Sequence, residues 1–231
     1  MLIGGYSRFS LIEYPGRICA VVFTRGCNFK CPYCHNPELI KSAPRQSFIP
    51  ELEVLDFLKM RQGKLDGVVV TGGEPTIQTD LIPFLEKIKK IGYPVKLNTN
   101  GSLPSVLKNA IGLGLVDYVA MDIKAPFNKY WNVTNSLVDL KKIQQSISLV
   151  INSGLNYEFR TTLVKSLLTP EDIWEISKTI KGAKLYILQK FIPSKLLDPK
   201  FIEEETYSDE ELLEIAKQLE EFVEKCTVRQ N

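Results

Sequence analysis

Six short β-rich runs separated by stretches of helical periodicity constrain this chain more than any other feature. The runs are Ile18–Thr24, Gly67–Thr71, Val95–Thr99, Tyr118–Asp122, Tyr157–Leu163 and Lys184–Gln189. Several are almost continuously apolar (ICAVVF, VVV, LYIL), the pattern of strands covered on both faces. Between them Leu52, Leu55 and Leu58 recur at three-residue steps, as do Leu137, Leu140 and Ile143, continuing to Ile147. Thr169 before Pro170 predicts an N-cap, with Glu171 and Asp172 favouring the positive helix end. Gly154 is placed to stop the helix before the fifth strand. Ser208 with Glu211 predicts a capping box that opens a C-terminal helix over residues 208–225. Its apolar stripe is Leu212, Ile215, Ala216, Leu219, Phe222 and Val223, leaving Glu210, Glu214, Glu220 and Glu224 towards solvent.

Six βα units with right-handed crossovers imply a parallel sheet, which either curves into an open, partial barrel or lies doubly wound. At 231 residues, 44% of them hydrophobic, one domain spanning 1–231 is the expectation. Its core covers residues 17–192, and the weakly periodic Lys195–Glu205 reads as a surface connection. A formal charge of +2 lacks the basic footprint of a general nucleic-acid binder. The opening MLIGGYSRFSLIEYPGR carries Arg8 and Glu13 and no apolar h-region, and no run approaches the roughly 18 apolar residues of a membrane span. A soluble, cytoplasmic protein is expected.

Three of the five cysteines crowd into Cys27-Asn28-Phe29-Lys30-Cys31-Pro32-Tyr33-Cys34-His35. A secreted disulfide scaffold would spread an even number over a shorter chain, so this spacing reads as a metal site in a reducing compartment. Three thiolates spaced by four and three can each take a different iron of one cubane. Such a cluster normally takes four cysteines. Cys19, inside the first strand, and Cys226, near the C-terminus, are poorly placed as a fourth and read as inert thiols. One iron is then open to a small molecule. Two alternatives stand beside this reading: a Cys₃His zinc site using His35, and a thioredoxin-like pair of Cys31 with Cys34.

C-x₃-C-x₂-C after a first strand, with aromatic Tyr33 before the third cysteine, resembles the radical S-adenosylmethionine superfamily. The resemblance implies a partial (β/α)₆ TIM-like barrel, a [4Fe–4S] cluster on Cys27, Cys31 and Cys34, and S-adenosylmethionine as second cofactor. The backbone at Tyr33 is then placed to contact adenine.

The other unusual residues fall at strand ends, the face where parallel α/β folds bind ligands. Thr71-Gly72-Gly73-Glu74-Pro75 offers two glycines for close backbone approach and a carboxylate suited to an ammonium group. It also reads as an ordinary tight turn. It resembles the family's Gly-Gly-Glu-Pro motif, which implies that Gly72, Gly73 and Glu74 meet the cofactor's amino group. Asn98-Thr99-Asn100-Gly101 reads as a loop. Asn98 stands where glycyl-radical activases commonly carry aspartate, which implies a polar rather than a charged contact. Asp122 and Lys124 alternate onto one face and form either a used inward pair or a solvated one. They resemble the activases' Asp-x-Lys motif and are the candidates for any catalytic part beyond cluster and cofactor. Glu158, Arg160 and Thr162 share a face, where the Arg160 fork suits the methionine carboxylate or Glu74. Gln189 adds a hydrogen-bonding group where pyruvate formate-lyase activating relatives use a histidine, so that subfamily fits poorly.

The segment from Gly4 to Gly16, Cys34-His35-Asn36-Pro37, MDIKAP, Arg160-Thr161-Thr162 and Leu188-Gln189-Lys190-Phe191 resemble activating proteins of anaerobic ribonucleoside-triphosphate reductase. That implies a glycyl-radical enzyme as partner and an external electron donor such as flavodoxin or ferredoxin, with no membrane or nucleic acid. The competing readings are a radical enzyme acting on another glycyl-radical enzyme or on a small molecule, and a non-catalytic zinc-stabilised binding protein.

Overall fold

A computed structural model describes residues 1–40 and 48–229 of the chain. The chain folds as two compact units. Met1–Asn28, Glu38–Thr99 and Leu103–Val119 form the first; Phe29–Pro37, Asn100–Ser102 and Ala120–Asn231 form the second. The strands follow one another in chain order.

In the first unit β1 (Ile3–Tyr14) and β2 (Arg17–Thr24) form an antiparallel hairpin. Parallel strands follow: β3 (Gly67–Gly72) pairs with β2 from Cys19↔Gly67 to Thr24↔Gly72, and β4 (Val95–Thr99) pairs with β3. Val68, Val69 and Val70 are all fully buried, as the continuous apolar run requires. One apolar cluster joins Tyr14, Cys19, Val21, Val69 and Tyr118, with Phe23 packed on it. After the short α1 (Pro37–Ile40) come helices α2 (Glu51–Met60), α3 (Leu81–Ile91) and α4 (Pro104–Gly112).

β5 (Tyr118–Asp122) begins in the first unit and ends in the second. The second unit adds β6 (Asn156–Leu163), β7 (Tyr186–Lys190) and β8 (Cys226–Arg229), parallel from β6 to β8. Its helices are α5 (Tyr130–Thr134), α6 (Leu140–Ile151), α7 (Pro170–Thr179) and α8 (Asp209–Leu219). Both expected caps exist. Thr169 and Asp172 close a capping box on α7, and Ser208 and Glu211 close one on α8. A box of this kind is worth about 1 kcal/mol.

All six expected strands appear within two residues of their read bounds. Two more were not read. β1 hides because it is a bulged hairpin arm whose Phe9, Leu11 and Ile12 are exposed, which breaks any alternation. β8 is four residues long, too short for a periodicity. It also shortens the expected C-terminal helix, which stops at Leu219 rather than near residue 225. The reason is tertiary: Gly182 N–H donates to Phe222 O and Glu224 N–H to Ala183 O, drawing the chain into register beside β7. Phe222 and Val223 therefore lie beyond the helix whose stripe they continue. Leu137 also lies outside its expected helix and is 94% exposed, because Asp139 caps α6 at Lys141 N–H. Leu52 is exposed, and α2 buries Val54, Leu55 and Leu58 instead.

Candidate active site

The cysteine loop leaves the C-terminal end of β2. Gly26 stands just before Cys27, and the Gly72-Gly73-Glu74 turn after β3 packs directly on it. Gly73 N–H donates to Thr24 O at 2.9 Å and Glu74 N–H to Gly26 O at 2.8 Å. A Cβ on Gly73 would lie 1.8 Å from Gly26 O, and one on Gly72, at φ +120°, would lie 2.3 Å from Thr24 N. The two glycines thus serve backbone-to-backbone packing of the cysteine loop.

Glu74 is 1% exposed, and its Oε1 accepts from Thr76 N at 3.0 Å, Thr76 Oγ1 at 2.6 Å and Thr99 Oγ1 at 2.7 Å. These three donors fix the position of the carboxylate. Asn98 donates through Nδ2 to Thr71 Oγ1 at 3.2 Å. Gly72, Gly73, Glu74 and Asn98 are therefore gathered within the first unit, with Thr71 and Thr99 as supports that the sequence reading passed over.

Within the second unit Cys31 is 7% exposed and Cys34 partly exposed, and Cys34 N–H closes a turn on Cys31 O. The loop is clamped from two sides. Lys30 N–H donates to Thr134 O and Ser136 Oγ, while Leu197 N–H donates to Cys34 O and Asp198 N–H to Pro32 O. Burial pushes the Cys31 thiol up to about 11. A metal that takes Cys31 as a thiolate at neutral pH must therefore displace its proton. Burial likewise holds Tyr33 and Tyr130 above the ordinary tyrosine range.

Asp122, Lys124 and Arg160 form a connected set. Asp122 Oδ1 accepts from Arg160 Nε at 2.8 Å and pairs with Nη2 at 2.8 Å, while Lys124 Nζ donates to Oδ2 at 2.9 Å. Burial opposes the charge on Asp122, but Arg160 and then Lys124 outweigh it and push its carboxyl down to about 2. Burial also opposes the charge on Lys124, and Asp122 holds its ammonium well above the ordinary lysine value. The pair keeps 24% and 17% of its side-chain surface, so it is open to a ligand rather than sealed. Arg160, read as a fork for a ligand carboxylate or Glu74, gives two nitrogens to Asp122. Glu158 beside it is wholly buried and paired to Arg229 through two 3.1 Å contacts. Gln189 lies in register between Thr162 and Arg229, on the face that carries Arg160.

The residues fit an iron–sulfur cluster with a polar cofactor. Three thiols are the donor chemistry of such a cluster. His35, the fourth ligand of the zinc alternative, is bonded instead to Ile192 O at 3.0 Å and stacked on Phe191. Among the described residues no three His, Cys, Asp or Glu side chains, the three cysteines included, are gathered for a single ion. Thr24 Oγ1, Tyr33 OH, Arg61 Nε, Asn98 Oδ1 and Thr206 Oγ1 are buried with no hydrogen-bond partner among the described residues. Each such atom costs about 1–3 kcal/mol unless something satisfies it. Two of the five, Tyr33 and Asn98, are residues the sequence singled out for the cofactor; Thr24, Arg61 and Thr206 carried no signal.

No described helix is long and apolar enough to cross a membrane. Residues 21–181 match the family profile of the Radical SAM superfamily. The chain is 36% identical over 234 residues to a protein of Methanocaldococcus jannaschii named as a candidate glycyl-radical enzyme activating enzyme, covering 99% of this chain and 95% of that one. It is 26% identical to the 7-carboxy-7-deazaguanine synthase of Thermococcus kodakarensis, over 79% of this chain and 78% of that one. Among solved structures, Streptococcus suis SuiB bound to precursor peptide SuiA superposes with a TM-score of 0.69 at 13% identity, over 90% of this chain and 48% of that chain. A domain of pyruvate-formate lyase-activating enzyme from Bacteroides vulgatus gives 0.57 at 16%, over 71% of this chain and 98% of that one. These likenesses assign the α/β fold class, with the partial TIM-like barrel among the structures it resembles. With the cysteine motif, the strand-end residues and the family match in agreement, the chain belongs to the radical SAM superfamily, whose enzymes use a [4Fe–4S] cluster and S-adenosylmethionine.

Proposed function

We propose that this chain is a glycyl-radical enzyme activase whose partner is anaerobic ribonucleoside-triphosphate reductase. The observation that carries the activase reading is the 36% identity, spanning both chains almost completely, to the Methanocaldococcus jannaschii protein of that description. The reductase as partner rests on the sequence words at Gly4–Gly16, MDIKAP and Leu188–Phe191. In this reading the chain works as a single domain. Cys27, Cys31 and Cys34 hold the cluster. Tyr33, Gly72, Gly73, Glu74, Asn98, Asp122, Lys124, Arg160 and Gln189 hold S-adenosylmethionine.

When bound, the cluster and S-adenosylmethionine together supply a 5′-deoxyadenosyl radical, with one electron from an external donor such as flavodoxin or ferredoxin. The chain's own residues orient that chemistry. Glu74, fixed through Oε1 by two threonines, presents a carboxylate to an ammonium group. Lys124, Arg160 and Arg229 stand against Asp122 and Glu158, and this excess of cations suits a carboxylate. Asn98 Oδ1 and Tyr33 OH offer neutral polar contacts. The chemistry so supplied would suit removal of a hydrogen atom from a glycine Cα of a partner protein.

The test is anaerobic. Reduced enzyme, S-adenosylmethionine and the candidate reductase should give 5′-deoxyadenosine and a glycyl radical signal by electron paramagnetic resonance. If 5′-deoxyadenosine forms without any such signal in the reductase, the partner assignment fails. The likeness to 7-carboxy-7-deazaguanine synthase favours a small-molecule substrate as the second reading, and turnover of such a substrate without a partner protein would establish it.

A further inference from the structure

The cysteine loop is tied to a turn that carries exposed apolar side chains. Phe29 and Lys30, which lie between Cys27 and Cys31, make the ties. The Phe29 ring packs edge-on against Tyr130 at 6.4 Å between centroids, and both rings are buried. Lys30 N–H donates to Thr134 O and to Ser136 Oγ, each at 3.0 Å. Asn135 between those two takes left-handed backbone, φ +46°, and ends α5. The chain thereby sets Ser136 onto the cysteine loop while its neighbour Leu137 stays 94% exposed. Trp131, on α5 itself, is 59% exposed. The two apolar side chains thus flank one fixed turn, and tryptophan is among the residues that most often dominate protein interfaces.

The charges beside them favour one sign. From Tyr130 to Ile143 the only acidic residue is Asp139, and its carboxylate caps α6 at Lys141 N–H. Lys129, just before, is paired with Asp172. Lys30, Lys141 and Lys142 are exposed, and none of their ammonium groups enters an ion pair among the described residues. Apolar side chains beside unpaired lysines suit a partner with an acidic face around an apolar contact. An electron donor needs only to come near the cluster, whereas a substrate must reach the strand ends that carry Asp122 and Lys124. The turn meets the first requirement, being bonded to the residue next to Cys31. We propose that Trp131 and Leu137, with Lys30, Lys141 and Lys142 beside them, form the docking surface for an acidic, flavodoxin-type electron carrier. The apolar edge of its flavin is the group that the tryptophan and leucine receive. The carrier gives one electron to the cluster and is itself oxidised by one; no bond is made or broken.

The proposal rests on the reading that Cys27, Cys31 and Cys34 hold a reducible cluster, and the experiment separates the two. Reconstituted, cluster-bearing enzyme is mixed anaerobically with a reduced flavodoxin, and the paramagnetic signal of the reduced cluster is timed by rapid freezing. Binding of the same flavodoxin is measured by calorimetry at low and high salt. Dithionite, a small reductant that needs no docking, is run in parallel. If dithionite leaves the wild-type cluster unreduced, the cluster reading fails and the proposal with it. With that control positive, Trp131→Ala and Lys141→Glu/Lys142→Glu are each expected to bind flavodoxin roughly tenfold more weakly and to be reduced by it correspondingly slowly. Leu137→Ser is expected to lose about threefold. Dithionite should reduce every variant at the wild-type rate. Salt should weaken flavodoxin binding to the wild type and to Trp131→Ala, and much less to the lysine variant. Variants that match the wild type with flavodoxin would overturn the proposal, as would a wild type that takes no electron from it. With dithionite as reductant, glycyl radical formation on the candidate reductase should be the same in all variants. A loss there would give the surface to the reductase and overturn the proposal. Should Trp131→Ala be too unstable to purify, the exposed Leu137 and lysine variants carry the test.

Discussion

The site-bearing parts of the two units are built on opposite principles. In the first, around Gly26, Gly72–Glu74 and Asn98, position comes from backbone packed on backbone and from neutral hydroxyl donors. Two threonines hold the Glu74 carboxylate through Oε1. In the second, around Asp122, Lys124, Arg160, Glu158 and Arg229, position comes from alternating charges. The first arrangement is rigid and fails sterically. The second is held by ion pairs and fails through loss of charge rather than through a clash.

Replacing a cysteine should break the proposed function and leave the fold intact. Cys34→Ala is expected to lose bound iron and its visible absorption, with the apo thermal midpoint within a few degrees of the wild-type apoprotein. The loop is held by backbone bonds at Lys30, Leu197 and Asp198 rather than by thiols, and a collapse of the apo midpoint would contradict this.

Gly73→Ala attacks the first part through its weakness. With Gly26 O 1.8 Å from the new Cβ, one backbone must move, at a cost of about 3 kcal/mol in urea unfolding. A variant of wild-type stability would show that the turn is not rigid.

The second part should answer to pH. The Asp122 carboxyl falls from an ordinary 3.8 to about 2 in the folded protein. Its contribution is therefore fully present above pH 4 and is lost as pH falls through about 2. The shift corresponds to about 2 kcal/mol. Between pH 5 and pH 2 the wild type should lose about that much more stability than Asp122→Asn; equal slopes would remove Asp122 as the hub of the charge set.

The smallest effect is expected away from both. Leu137→Ser should leave stability within about 0.5 kcal/mol, since Leu137 is 94% exposed and outside α6. A larger loss would return it to the apolar stripe that the periodicity suggested.

Legibility in the sequence followed the range of the forces involved. β3 and β4 were read almost to the residue because a strand buried on both faces must be apolar throughout. The caps at Thr169 and Ser208 were legible because each bond spans three residues. Cys31, Tyr33 and Cys34 could be named together for the same reason. The partners of those residues were not. That Thr99 holds Glu74, that Arg160 turns to Asp122, and that the Gly73 turn packs on Gly26 all depend on strands distant in the chain.

From the sequence by itself came the class of chemistry, the three cysteines, and the strand ends that carry polar groups. These follow from local patterns that composition and periodicity must respect. The tertiary structure alone decided that the C-terminal helix stops at Leu219 and that the chain returns as β8. It also decided that Arg229 thereby meets Glu158. Helical periodicity continues through Phe222 and Val223, but it has no means of weighing a strand's hydrogen bonds and a buried ion pair formed across 71 residues.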